Sequence, residues 1–241
     1  MTLPLQVLFL ITLVQSDPAS ASQIRGSIEL QNKGRLAWAI LPTRPGYSSS
    51  ILRAEWTMND APSVLRSTTF LFLKSRKLPK SLPYVPLQNS IGELAPLNSK
   101  ERELLELARK TYAPEAEPAE SQLHHFFRLL LESRPLRSED ITRAAGKNYR
   151  TSDGHPWAVG WYTAAGRTHY VLAPAGDPET ECFGRKGSRC GRGWQKPKYS
   201  RAALNHDICH RIEGRNWLGV CAGEFRAAIL GGSKDLLETL F

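Results

Sequence analysis

The sequence predicts an α+β fold: a strand-rich N-terminal region followed by a C-terminal antiparallel helix hairpin stapled by cysteines. Three observations carry this. Runs of β-branched and aromatic residues punctuated by turn residues fill positions 23–80. Helical patterns with capping signals begin at Asn98 and recur toward the C-terminus. All four cysteines, Cys182, Cys190, Cys209 and Cys221, lie in the last quarter of the chain. With 241 residues, 41% of them apolar and 23% charged, the chain is neither fibrous, disordered nor polytopic and has length enough to bury a core.

Residues Leu3 to Val14 form an apolar run broken only by Pro4, Gln6 and Thr12, followed by polar residues and then Ala19-Ser20-Ala21. The run is shorter than the roughly 20 residues that a membrane-spanning helix needs, and Ala-x-Ala has the form of a cleavage site. Residues 1–21 therefore read as a secretory signal removed after Ala21, and the mature protein is expected to be secreted and extracellular. An uncleaved anchor or a buried N-terminal strand is the alternative reading of the same run. Secretion admits disulfides, and four cysteines allow three pairings.

The first region, 22–118, contains Ser27-Ile-Glu-Leu and Leu36-Ala-Trp-Ala-Ile around an Asn32-Lys-Gly turn, with a later strand from Thr68 to Leu73. A helix follows, with Asn98 as N-cap and Glu101 three residues on as its capping-box partner. Pro114-Glu-Ala-Glu-Pro118 reads as a linker. The second region, 119–241, opens with an amphipathic helix over Ser121 to Ser133. Aromatic-rich alternation from Trp157 to Leu172, interrupted by Ala165-Gly166, then predicts a β-hairpin. His124 and His125 point about 100° apart on their helix and read as packing residues rather than ligands of one ion. His155 and His169, lone histidines near aromatics, read as packing or surface residues rather than catalysts.

The chemistry concentrates between 182 and 230. Ser200 is placed to cap a helix carrying His206-Asp207-Ile208-Cys209, and Gly214 to end it in a left-handed conformation. A second helix after Gly219 carries Cys221 and Glu224. So short a connection makes the two antiparallel, and residues equidistant from the turn then face each other. Cys209 meets Cys221 in this way, and His206 meets Glu224. Each polar residue lies three positions from its cysteine and so shares its helix face. An imidazole held by a carboxylate at one nitrogen is poised to take a proton at the other. Asp207 is a hard oxygen donor, and the nearby Arg189-Cys190-Gly191-Arg192-Gly193 offers the backbone carbonyls that calcium seeks.

These residues together, Cys190-Gly-Arg-Gly193, His206-Asp-Ile-Cys209 and Cys221-x-x-Glu224, resemble the secreted phospholipase A2 family over about a fifth of the chain. The resemblance implies a calcium-dependent hydrolase in which His206 activates water for attack on a phospholipid ester and Glu224 orients it. It also implies calcium held by Asp207 and the carbonyls of Arg189, Gly191 and Gly193, and leaves Cys182 to pair with Cys190. Glu224 stands where the family has aspartate, and Trp194 where it has a further loop glycine. A catalytically silent relative that binds membranes or a partner is the alternative.

From Cys182 to Arg226 there are ten Lys or Arg against three acids, a surplus of seven within a chain whose formal charge is +9. Such a patch suits a membrane or micelle interface, anionic lipid above all, and carries no base-reading motif that would point to nucleic acid. A structural zinc site from His206, Cys209, His210 and Cys190 is the rival use of the same residues. Thiol titration of the denatured, unreduced protein separates them: no free thiol is expected, and four would favour zinc.

Overall fold

A computed structural model describes residues 10–14, 24–30, 34–43, 49–58, 61–73, 78–112, 118–145, 157–174, 183–184, 200–214 and 219–223. The fold is mixed α+β. Strands β1 (Leu10–Val14), β2 (Ile24–Leu30), β3 (Gly34–Pro42), β4 (Ser49–Met58) and β5 (Ala61–Leu73) form an antiparallel meander. Two short strands, β6 (Tyr84–Val85) and β7 (Gln88–Asn89), precede helix α1 (Ser99–Thr111). Then come α2 (Pro118–Glu132), β8 (Arg134–Pro135), α3 (Ser138–Ala145), β9 (Trp157–Ala164), β10 (Arg167–Pro174) and α4 (Arg201–Ile212). The main sheet runs β1-β2-β3-β4-β5-β10-β9, with β7 also pairing β5.

The expected local elements form where their side chains direct. Asn98 and Glu101 make the reciprocal capping box: Glu101 N–H donates to Asn98 Oδ1 at 2.9 Å, and Asn98 N–H to Glu101 Oε2 at 2.7 Å. Ala165 and Gly166 both adopt positive φ, at 50° and 73°, the conformation a two-residue hairpin turn requires. Helix α2 begins at Pro118 rather than Ser121, since a proline at the first helical position gives up an N–H that no intrahelical carbonyl could accept. Of the apolar run expected to direct secretion, Leu10–Val14 is strand and covers the outer edge of β2 over five residue pairs.

Strand alternation divides the apolar residues between two faces. Leu36, Trp38 and Ile40 of β3, Leu52, Ala54 and Trp56 of β4 and Phe70 and Phe72 of β5 point toward α1 and α2. Ile51, Leu71, Val171 and Ala173 point the other way, toward α4. Aromatic rings lock the first layer: Phe70 meets Phe126 edge-on at 4.9 Å, and Trp38 meets Phe127 at 5.2 Å. The buried indoles are satisfied, Trp38 Nε1 by Tyr112 Oη and Trp56 Nε1 by the Glu101 carbonyl, both at 3.2 Å.

Beside β5, β10 is parallel, with a single register pair, Leu172 with Phe70. Where β7 intrudes, the Gln88 side chain stands in for a strand. Its Nε2 donates to the Thr168 carbonyl at 2.8 Å and its Oε1 accepts from Tyr170 N–H at 3.1 Å. His124 Nδ1 lies 2.7 Å from the Tyr112 carbonyl, at the end of α1, and His125 Nε2 lies 2.6 Å from the Pro79 carbonyl. Both histidines tie α2 to neighbouring backbone.

Trp38 lies flat across Gly26, where a β-carbon would stand 2.6 Å from the indole ring. That ring is buried and cannot retreat, so Gly26→Ala is expected to destabilise the fold by about 1–3 kcal/mol. A thermal melt should show the loss as a drop of roughly 2–4 °C per kcal/mol.

Candidate functional site

Helix α4 is placed by its contacts with β9. Ser200 caps it, its Oγ accepting from Ala203 N–H at 3.2 Å, and Gly214, at φ 96°, takes the left-handed conformation past its end. Gly160 allows the close approach: a β-carbon there would lie 2.5 Å from Ile208 Cδ1 and 3.0 Å from Asn205 Oδ1. Asn205 Oδ1 accepts the Trp161 backbone N–H at 2.9 Å, and Arg201 Nη1 donates to the Val159 carbonyl. Two side chains of the helix thus serve the backbone of the last strand of the sheet.

With Leu204, Asn205, Ile208 and Cys209 buried, the intervening His206 and Asp207 fall on the partly exposed side of the helix. His206 Nδ1 lies 3.3 Å from Asp207 Oδ1. A carboxylate can only accept, so this contact puts a proton on Nδ1 and leaves the basic lone pair on Nε2. Asp207 Oδ2 accepts the Gly184 N–H at 2.8 Å. Gly184 in turn accepts the Ser200 N–H through its carbonyl at 2.9 Å, at φ 80° and against Leu204. The His210 ring stacks on His206, centroids 5.7 Å apart, one helical turn along.

Cys209 and Cys221 form a disulfide with 5.7 Å between their α-carbons. Cys209 is therefore not available as a thiolate ligand for zinc. Among the described residues, no cysteine is free and no three or more His, Cys, Asp or Glu side chains gather around a common point. Glu224, Arg189, Gly191, Gly193, Cys182 and Cys190 lie outside the described residues, as does His155. Of the ten basic residues, Arg201 and Arg211 are described. Each lays its guanidinium over a ring, Trp161 at 5.6 Å and Phe183 at 5.2 Å. Among the described residues no helix is long and apolar enough to cross a membrane.

Three features escape a reading by local pattern. Gly184 anchors Asp207 from 23 positions away. Tyr162 Oη donates to Glu213 Oε1 at 2.7 Å while its ring stacks on His169 at 5.1 Å. A groove of about 550 Å³ runs over the sheet face turned away from α1 and α2, floored by Ala37 and Ala39 and walled by Arg25, Glu29, Arg53 and Glu55. Gly160 is a further residue that the periodicity reading passed over, and its signal is that of an isolated glycine inside a strand pattern.

Burial holds the His169 imidazole below its ordinary value of 6.5, against the opposing pull of the Ala164 backbone and Glu213. A lowered folded-state value favours the neutral ring. Its contribution to stability is present above about pH 6.5 and is lost as pH falls through the lower folded value, because the unfolded chain binds the proton more readily. Chemical denaturation across this range should show His169→Gln losing less stability on acidification than the parent protein.

No family model, no curated protein and no solved structure matches the chain.

Proposed function

We propose that the protein is a secreted phospholipase A2-like hydrolase that cleaves a carboxylic ester of a phospholipid at a membrane or micelle interface. The observation that carries this reading is the His206–Asp207 pair. Two adjacent, partly exposed side chains touch on a helix anchored by a disulfide one turn further along. In that arrangement the Nδ1 proton is held by a carboxylate, and Nε2 is the nitrogen that takes a proton from an attacking water. Glu224, on the segment after Cys221, is the second acid, which would share the Nδ1 proton with Asp207 and so leave Nε2 to the water.

The residues suit calcium. Among the described residues, each Asp207 oxygen has one partner, Gly184 N–H or His206 Nδ1, and a carboxylate oxygen accepts more than one contact. Asp207 with the carbonyls of Arg189, Gly191 and Gly193 would make an all-oxygen set of the kind that ion prefers. When bound, calcium supplies the positive charge that polarises an ester carbonyl and steadies its oxyanion. The basic residues between Cys182 and Arg226 would draw the protein to anionic lipid, each adding up to about 1 kcal/mol near such a surface.

A second reading has one observation in its favour. Asp207 is already held by two groups of its own chain, an arrangement that needs no cation. A catalytically silent protein could keep the stapled helix for binding a membrane or partner.

Fatty-acid release from anionic phospholipid vesicles separates the two. Hydrolysis is expected with calcium and not with chelator. His206→Gln should lower it about 10²- to 10⁴-fold, the usual range for loss of a general base, while His169→Gln at pH 8 should leave it intact. Asp207→Asn should abolish the heat of calcium binding in titration calorimetry. Hydrolysis that survives His206→Gln would sink the enzyme, and vesicle binding without hydrolysis would establish the silent form.

A further inference from the structure

The two ends of the main sheet are protected differently. At one end, the outward backbone of β9 is occupied by α4, through Asn205 on Trp161 N–H and Arg201 on the Val159 carbonyl. At the other, among the described residues, the outer edge of β2 is covered by β1, which belongs to the apolar run read as the secretory signal. Removal of the chain through Ala21 takes β1 away and leaves β2 with a row of N–H and C=O groups that demand partners.

We propose that in the mature protein this edge pairs with the same edge of a second copy, antiparallel about a two-fold axis at Ser27. The inference rests on the secretory reading. What it adds is the occupant, and the order of charges along β2 carries it. Around an axis at Ser27, Arg25 of each copy faces Glu29 of the other, Ile24 faces Leu30, and Gly26 faces Ile28.

Arg25 and Glu29 are both exposed and share the sheet face turned away from α1 and α2. There their neighbours on β3 are Ala39 and Arg35. Two opposite-charge pairs, related by the axis, therefore form across the junction on that face. The other face sets Ile24 and Leu30 of one copy beside Leu30 and Ile24 of its partner, continuing the apolar layer to which Ile28 and Leu30 already belong.

Centring the axis on Arg25 or on Glu29 would instead oppose like charges, and centring it on Gly26 or Ile28 would leave both charges without an opposite partner, so the axis at Ser27 is the one that forms both ion pairs. Because the contact is isologous it uses up the edge of both copies and closes, where an unspecific edge would go on to aggregate. On the opposite edge, α4 already takes the Trp161 N–H and the Val159 carbonyl.

The test is analytical ultracentrifugation of the protein purified from a secreting host, over a concentration series, with its N-terminus sequenced and each variant's fold checked by circular dichroism. A chain beginning at Ser22 that sediments as a dimer is expected. Glu29→Arg alone, or Arg25→Glu alone, opposes like charges at two symmetric positions and should raise the dimer dissociation constant about tenfold or more. The double exchange Arg25→Glu with Glu29→Arg restores the complementarity and should recover dimerisation.

A mature chain that remains monomeric, or a double exchange no better than the single ones, overturns the pairing. A secreted chain that still carries Leu10–Val14 overturns the secretory reading beneath it. The edge is then occupied and the dimer is ruled out with it. Neither result depends on lipid hydrolysis.

Discussion

The contact between α4 and β9 is the constraint from which the candidate site follows. Gly160 removes the side chain that would hold the helix off, and Asn205 then reaches the strand's own N–H. Once Asn205 is committed to the sheet, helical geometry decides the rest. Each residue turns the side-chain direction by about 100°, so the next two positions rotate away from the strand before Ile208 returns to it. His206 and Asp207 are reachable by solvent because Asn205 and Ile208 are not.

One covalent anchor and one non-covalent anchor then hold that helix. The Cys209–Cys221 bridge closes a segment of 12 positions, worth about 3 kcal/mol in the chain-entropy view, and ties Cys221 to the helix. On the other flank, Phe183 is buried against the helix with Arg211 over its ring. Gly184 then bonds both the cap residue Ser200 and the site residue Asp207. A carboxylate pinned by a backbone amide cannot swing freely, so Asp207 presents a settled face to His206. The fold spends a glycine, a disulfide and a buried phenylalanine on two side chains.

The sheet itself is built to be covered on both faces, though not equally. The layer under α1 and α2 is aromatic and dry, with its two indoles satisfied by partners on α1 and just past its end. The opposite face is apolar only where α4 lies. Beyond it, across β2, β3 and β4, arginines and glutamates flank a floor of alanine. Alternation makes this possible: each strand carries the core on one side and a separate instruction on the other. His169 and Tyr162 sit at the seam, linked through Glu213 to the end of α4.

What the amino-acid order determined by itself is whatever depends on neighbours a few residues apart. The Asn98–Glu101 capping box, the Ala165-Gly166 turn, the helix bounded by Ser200 and Gly214 and the pairing of Cys209 with Cys221 all follow from spacing. Backbone hydrogen bonding and short loops act over that range. The adjacency of His206 and Asp207 is legible for the same reason. Only the tertiary structure decided the parallel seam of β10 on β5, the Gln88 side chain that completes it, the Gly184 clasp on Asp207 and the use of Leu10–Val14 as an edge strand. These join segments tens of residues apart, and a local pattern records that a residue can make a contact without recording which distant partner the packed chain brings to it. Apolar Leu10–Val14 satisfies a signal, a strand or a core equally well, and in the full chain the edge of β2 claims its hydrogen bonds.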